Sequence, residues 1–277
     1  MTNSQTLTLH NGIEMPRIGY GTFRMKDHNI AYQGVTDALK IGYRHIDTAA
    51  IYDNEEAVGR AVKDSGITRE ELFITTKVWN TDQGYDQTLK AFETSLTKLG
   101  LDYVDLYLVH WPKPTLKETY KAIERLYDEK LVRAPGVSNF HRQHFEDLFV
   151  SCNIKPTVNQ IEVHPSLSQN ELRAFCADHQ IAVTAWAPLG TGIVFTHPVF
   201  KRLAAKYDKT PAQIILRWQL EVGNIAIPKS VTVERLEQNL NIFDFALTAN
   251  EVAEISVLNT NHRTSLNPDD GYVNPNF

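Results

Sequence analysis

A single (β/α)8 barrel of the TIM type, with an N-terminal β-hairpin closing its bottom, is the α/β fold that the sequence predicts. Short β-type runs alternate with amphipathic helical patterns, which argues for a parallel sheet covered by helices. Eight such runs can be placed in order, and eight units favour closure into a barrel. The 277 residues suit one barrel of ordinary size.

The hairpin is read from Leu7–Tyr20, where Asn11-Gly12 supplies a φ > 0 turn between LTLH and IEMPRIGY. The eight strand runs are RIGYG (17–21), RHID (44–47), LFITTKVW (72–79), YVDLYLVH (103–110), LVRAPGVS (131–138), PTVNQIEV (156–163), IAVTAWAP (181–188) and NIAIP (224–228). Between them, Leu89, Phe92, Leu96 and Leu99 recur at helical spacing in 84–99. Further helical patterns cover Tyr120–Tyr127, Gln169–His179, Pro211–Leu220 and Val233–Leu240, and Thr210 before Pro211 reads as an N-cap followed by proline at N1. No Pro/Gly/Ser-rich linker divides residues 1–277, so one domain is expected. The doubly wound dinucleotide fold lacks its fingerprint. Gly19-Tyr20-Gly21-Thr22-Phe23-Arg24 follows a hairpin and has arginine at the third glycine position, and Gly190-Thr191-Gly192 fails in the same way.

Composition narrows the function classes. The formal net charge of -5 disfavours nucleic acid as the main partner. Cys152 and Cys176 form no CxxC pair and join no Cys/His cluster of zinc spacing, so two reduced thiols and no metal are expected. The polar start MTNSQTLTLHNG has no apolar h-region, and no apolar run reaches the ~18 residues of a membrane span. A cytoplasmic monomer acting on a small molecule is the expectation.

Active sites of these barrels lie where the strands end. Strand two ends at Asp47, strand three near Lys77 and strand four at His110, and Tyr52 follows five residues after Asp47. By alternation Lys77 shares a face with Phe73 and Thr75, and His110 with Leu106 and Leu108, so both point into the barrel. A lysine there needs a partner, and Asp47 is the natural one. Any one of these residues alone is more often structural, a cap or a core group; four at one barrel end reverse that. The set suggests carbonyl reduction. An ammonium beside a phenol lowers the phenol pKa from its usual ~10. Tyr52 would then protonate the developing alkoxide, while His110 orients the carbonyl oxygen. His45 and Asp105 read as structural, and Glu70-Glu71 and Asp269-Asp270 as solvated surface.

The stretches GYRHIDTAAIYDNE (42–55), ITTKVWN (74–80), DLYLVHWP (105–112), GVSNF (136–140), VNQIEVHP (158–165) and IPKS (227–230) resemble the signatures of the aldo-keto reductase superfamily. The resemblance runs from about residue 7 to the C-terminus and is greatest to bacterial 2,5-diketo-D-gluconate reductase-type enzymes. It implies an NADPH-dependent reductase of aldehydes and ketones, such as keto-sugar acids and α-dicarbonyls. Its catalytic tetrad falls on Asp47, Tyr52, Lys77 and His110. It further implies that Ser138, Asn139 and Gln160 hold the nicotinamide carboxamide and that Trp186 stacks below that ring. Ala187, Leu189 and Gly190 would follow the pyrophosphate, and Thr22 and Asp47 would approach the ribose. The 2′-phosphate falls to Lys229, Ser230, Val231, Thr232 and Arg235, and the adenine to Asn239. Phe23, Ile51, Trp79 and Trp111 would line the substrate pocket, left open by a short segment after His110.

Two residues depart from the pattern. Gln238 stands where many relatives have glutamate at an adenine contact. Pro135 replaces a strand isoleucine, so that either strand five pairs only beyond it or its ladder is broken. The alternatives to reduction are a catalytically weak, cofactor-binding regulatory barrel, and an isomerase or aldolase using Lys77 as a Schiff base. The complete tetrad opposes the first, and the expected Asp47 partner opposes the second.

Overall fold

The computed structural model of the chain describes residues 5–192 and 194–273. Strands β1 (Thr6–Thr8) and β2 (Glu14–Pro16) form the antiparallel hairpin. Its loop is one residue longer than the two-residue turn read from Asn11-Gly12. Gly12 has φ 85 and Asn11 does not take positive φ. Gly12 N donates to Leu9 O and Leu9 N to Ile13 O, each at 2.8 Å, giving a three-residue loop with a glycine bulge. The Asn11 amide is free to donate to Arg133 O at 3.0 Å, tying the hairpin to the barrel.

Eight parallel strands follow: β3 (Tyr20–Gly21), β4 (His45–Asp47), β5 (Phe73–Val78), β6 (Val104–Val109), β7 (Val132–Ser138), β8 (Val158–Glu162), β9 (Ala182–Trp186) and β10 (Ile225–Ala226). Each pairs with its sequence neighbour. The sheet closes on itself through a parallel bridge between Ile18 and Ala226, with Gly19 N donating to Ala226 O at 2.9 Å. Each of the eight observed strands lies inside its expected run.

The described helices are α1 (His28–Ile41), α2 (Glu55–Asp64), α3 (Tyr85–Leu99), α4 (Leu116–Asp128), α5 (Arg142–Phe149), α6 (Asn170–Asp178), α7 (Pro198–Tyr207), α8 (Pro211–Glu221), α9 (Val233–Leu240), α10 (Ala249–Ser256) and α11 (Pro268–Val273). The five helical patterns of the sequence correspond to α3, α4, α6, α8 and α9. Thr210 caps α8 reciprocally with Gln213, and Pro211 occupies the first turn, where no backbone donor is needed.

Two apolar cores result. The larger lies between the strands and the helical ring. The smaller fills the N-terminal end of the barrel, where hairpin residues Leu9 and Met15 meet Phe73, Leu106, Leu108, Ala134, Val158 and Ile225. The C-terminal end is therefore the polar one.

Pro135 breaks nothing. β7 pairs with β6 on both sides of it, from Val104↔Val132 to Val109↔Val137. The Pro135 carbonyl faces β8, accepting from Thr157 N at 2.8 Å, and the β8 ladder starts only at Gly136↔Val158. The missing N–H points to that same side, before the ladder begins, so strand five pairs with β8 only beyond the proline. Asp105 is fully buried on the outer face, holding Arg69 at 2.7 Å and Arg133 at 2.6 Å. His45 is buried against Phe73 with its Nε2 3.2 Å from Thr75 Oγ1. One surface reading is corrected. Asp269 is half-buried and engaged, 2.8 Å from His141 Nδ1 and accepting from Gln143 at 2.9 Å, because the chain after α10 folds back onto the barrel.

Candidate active site

The strand ends bring Asp47, Lys77 and His110 to one end of the barrel, and a single 3-10 turn at Ala50–Tyr52 carries Tyr52 over them. The turn stops at Asp53, whose φ of 56 is left-handed, and is followed at once by α2. Asn54 fixes the turn from below. It is fully buried, accepts from Thr48 Oγ1 at 2.6 Å, and donates to Thr22 O at 3.0 Å and Met25 O at 3.2 Å. Next to it the buried Glu55 accepts from Thr76 Oγ1 at 2.7 Å, pinning the start of α2 to the strand that carries Lys77. Neither residue stands out in the sequence: both lie inside the stretch GYRHIDTAAIYDNE, but a buried polar hub has no periodicity to mark it.

Lys77 is fully buried and donates to Asp47 Oδ1 at 2.6 Å and Thr48 O at 2.8 Å. An ammonium has three donors, so one remains, with Nζ 5.0 Å from the Tyr52 ring centre. The other Asp47 oxygen accepts from Gln160 Nε2 at 2.6 Å. Both carboxylate oxygens are thus engaged, as a buried charge requires. The His110 ring stands edge-on to Tyr52 at 5.7 Å and to Trp79 at 5.1 Å. Phe23 packs on the outer side of Tyr52 at 5.1 Å.

Electrostatics here differ in one respect from the sequence reading. Burial, and next the Asp47 carboxylate, push the Tyr52 phenol well above its ordinary value, so the net shift runs opposite to the one expected from Lys77 alone. Burial is the larger cause, and the Asp47 charge beside Lys77 offsets the pull of the ammonium on the phenol. The phenol is accordingly protonated at neutral pH. Burial pushes the Lys77 ammonium down, and Asp47 opposes that. Burial, and then Lys77, hold His110 well below its ordinary value, so its ring is neutral.

Beside this group, Ser138, Asn139 and Gln160 converge from the ends of β7 and β8, all buried. Asn139, at φ 62, donates to His110 O at 2.9 Å and accepts from Trp186 Nε1 at 2.9 Å. Ser138 Oγ donates to Gln160 O at 2.8 Å. Thr22 is buried with its hydroxyl donating to Asp47 O at 3.0 Å. Ala187 takes a φ of 45, and Gly190 lies so close to His164 that a Cβ would come within 3.0 Å of its ring.

A cleft of about 390 Å³ lies between Leu189 and the segment from Lys229 to Asn239. Leu189, Lys229, Ser230, Val231, Thr232, Arg235 and Asn239 line it, together with Phe195, Thr210, Pro211, Ala212 and Gln238. The last five do not appear among the expected contacts apart from Gln238. Arg235 sits in the first turns of α9, and no carboxylate pairs with Lys229 or Arg235 among the described residues. Two free cations, two hydroxyls and a helix N-terminus form a donor set that fits a phosphate dianion. Phe23 and Ile51 are exposed at the rim, and Trp79 and Trp111 are half-buried.

Comparison with known proteins places these features in context. Residues 17–260 match the Aldo/keto reductase family. A 9,11-endoperoxide prostaglandin H2 reductase of Trypanosoma cruzi is 49% identical over 96% of each chain. A glyoxal reductase of Bacillus subtilis is 51% identical over 96% of each chain. Among solved structures, an aldo-keto reductase of Bombyx mori in complex with NADP superposes with a TM-score of 0.93 at 37% identity, covering 98% of each chain.

Proposed function

This chain belongs to the aldo/keto reductase family, and we propose that it reduces small aldehydes and α-dicarbonyls with NADPH, Tyr52 supplying the proton. The observation that carries the proposal is the presence of two sites in one barrel: a protonated phenol over a buried Asp47–Lys77 pair, and a cleft whose Lys229 and Arg235 have no carboxylate partner among the described residues. NADPH supplies the hydride when bound. In this reading Lys229, Ser230, Thr232 and Arg235 hold its 2′-phosphate, Ser138, Asn139 and Gln160 its carboxamide, and Trp186 the face of the nicotinamide.

The chain's own residues then act on the substrate oxygen. The neutral His110 donates a hydrogen bond to it and fixes its direction. The Tyr52 hydroxyl gives up its proton as negative charge develops there. The third donor of Lys77 faces the phenolate formed and stabilises it. Asp47 keeps Lys77 charged and in place.

Relatives of similar identity, 51% and 49%, differ in the substrate they are named for, glyoxal in one and a prostaglandin endoperoxide in the other. Family membership therefore leaves the substrate to be set by the pocket. Here the aromatic and aliphatic rim of Phe23, Ile51, Trp79 and Trp111 suits small carbonyls. The test follows NADPH consumption with glyoxal, methylglyoxal and a series of longer aldehydes. Turnover of the dicarbonyls is expected, with NADPH preferred to NADH. No turnover of any carbonyl by correctly folded, NADPH-saturated protein would overturn the reading.

A further inference from the structure

The chain beyond α10 returns to the C-terminal end of the barrel and is held there by two clasps. The first is on the loop after β8. Thr264 donates to the buried Glu162 through both its backbone N, at 2.7 Å, and its hydroxyl, at 2.6 Å. Thr260 N and His262 N donate to Ser166 O at 3.1 and 3.0 Å, and Asn259 accepts from Ser168 N at 3.1 Å. The second clasp is on the loop after β7, which follows Ser138 and begins at Asn139. There His141 caps α5, and both its ring nitrogens are used: Nδ1 lies 2.8 Å from Asp269 Oδ1, and Nε2 lies 3.0 Å from Arg263 Nη2.

These partners dictate the protonation state. A guanidinium has no acceptor, so Nε2 must be a bare lone pair, and the ring proton sits on Nδ1, donated to Asp269. His144 is constrained likewise. Its Nδ1 accepts from His141 N at 2.9 Å, and its Nε2 lies 3.6 Å from the same Asp269 oxygen. A second proton on His141 would set an N–H against the Arg263 guanidinium and lose that contact.

We propose that His141 is a positioning residue for this site: its neutral ring clasps the C-terminal segment to the loop that begins at Asn139, directly after Ser138, and its protonation loosens the clasp. The charges facing it are Asp269 and Arg263 from the C-terminal segment, His144 from its own helix, Glu162 from β8 acting on Arg263, and Asp147, which pairs with Lys117 of α4 at 2.6 Å and also acts on His144. Burial lowers the pKa of His141 against the pull of Asp269, with Arg263 lowering it further, and burial lowers His144 to about 4. The sign follows. A histidine whose pKa is lower in the clasped state stabilises that state above about pH 6.5, and the contribution is lost as pH falls from there towards the clasped value.

The measurement is hydrogen-exchange protection of residues 259–270 at pH 7 and pH 5, corrected for intrinsic rates, beside KM for methylglyoxal at saturating NADPH. Wild-type protection should fall several-fold at pH 5, and KM should rise with little change in kcat. Arg263→Gln is the decisive variant. It removes the cation that forbids the second proton and leaves a side-chain oxygen to accept it, so acid should tighten its segment against Asp269 instead of loosening it. His141→Asn should show equal protection at both pH values. Wild-type protection that is independent of pH, or an Arg263→Gln segment that loosens with acid as wild type does, overturns the proposal. The KM arm rests on the reductase reading above. Exchange does not, so pH-dependent protection without turnover would sink that reading and leave this one standing.

Discussion

Tyr52 concentrates the chemistry, and its behaviour follows from three neighbours. Replacing it with phenylalanine keeps the ring between Phe23 and His110 and removes the hydroxyl. The loss expected in kcat is of the order of 10²–10⁴-fold, with NADPH affinity retained; retention of more than about a tenth of kcat would transfer the proton to another group. Lys77→Met should cripple turnover too, by removing the ammonium that meets the phenolate, and should leave Asp47 buried without its partner. The depressed pKa of His110 gives a further check. Its proton uptake belongs well below 6.5, so kcat should not fall through a His110 titration between pH 8 and 6. A limb near 6.5 that disappears in His110→Gln would contradict the neutral ring. These four residues were legible in the chain because strand ends can be counted and alternation says which way they face. The direction of the Tyr52 shift was not. It depends first on burial and then on the charge of Asp47, which Gln160 holds from 113 positions away, and neither is a property of local sequence.

At the scale of elements, the strands were the readable part, since continuous apolar runs ending in polar residues mark buried parallel strands. Pro135 shows what a run cannot reveal. A proline inside a strand is costly only if its nitrogen faces a partner, and that depends on where β8 begins. Pro135→Ala should therefore change stability by less than about 1 kcal/mol. Its neighbour should behave oppositely. Gly136 faces the barrel interior, where a Cβ would stand 2.6 Å from Leu108 Cδ2 and 3.0 Å from Val158 O. Gly136→Ala should cost about 1–3 kcal/mol by overpacking, measured by urea unfolding; an unchanged midpoint would mean that Leu108 moves aside freely. The C-terminal segment was the least readable element. Asp269 looked like surface charge because its partners, His141 and Gln143, are more than a hundred residues earlier. No spacing rule reaches that far.

Over the whole molecule the two barrel ends divide the work, and the division can be tested as one. The N-terminal end is apolar, closed by Leu9 and Met15 of the hairpin against Phe73, Leu106, Leu108, Ala134, Val158 and Ile225 from five barrel strands. The C-terminal end holds the buried Asp47–Lys77 pair, the left-handed residues Asp53, Asn139 and Ala187, and the cationic cleft. A barrel carries this separation because strand direction is common to all eight units, so one end collects the loops that follow strands and the other is left to packing. Met15 is fully buried, and Met15→Ala removes most of a side chain from the plug. It should destabilise the fold by about 2–5 kcal/mol while kcat and the NADPH preference stay as they are, because nothing at the plug touches the chemistry. Arg235→Ala is the mirror experiment. Its side chain is exposed and unpaired among the described residues, so stability should hardly change, whereas NADPH affinity should fall by about tenfold or more and NADH affinity little, since a charge-assisted contact to the extra phosphate is what is lost. Unfolding curves and cofactor titrations on the two variants together decide the matter. If Met15→Ala altered cofactor preference, or if Arg235→Ala weakened NADPH and NADH alike, the ends would be coupled, and the cleft at Lys229 and Arg235 would not be the phosphate site.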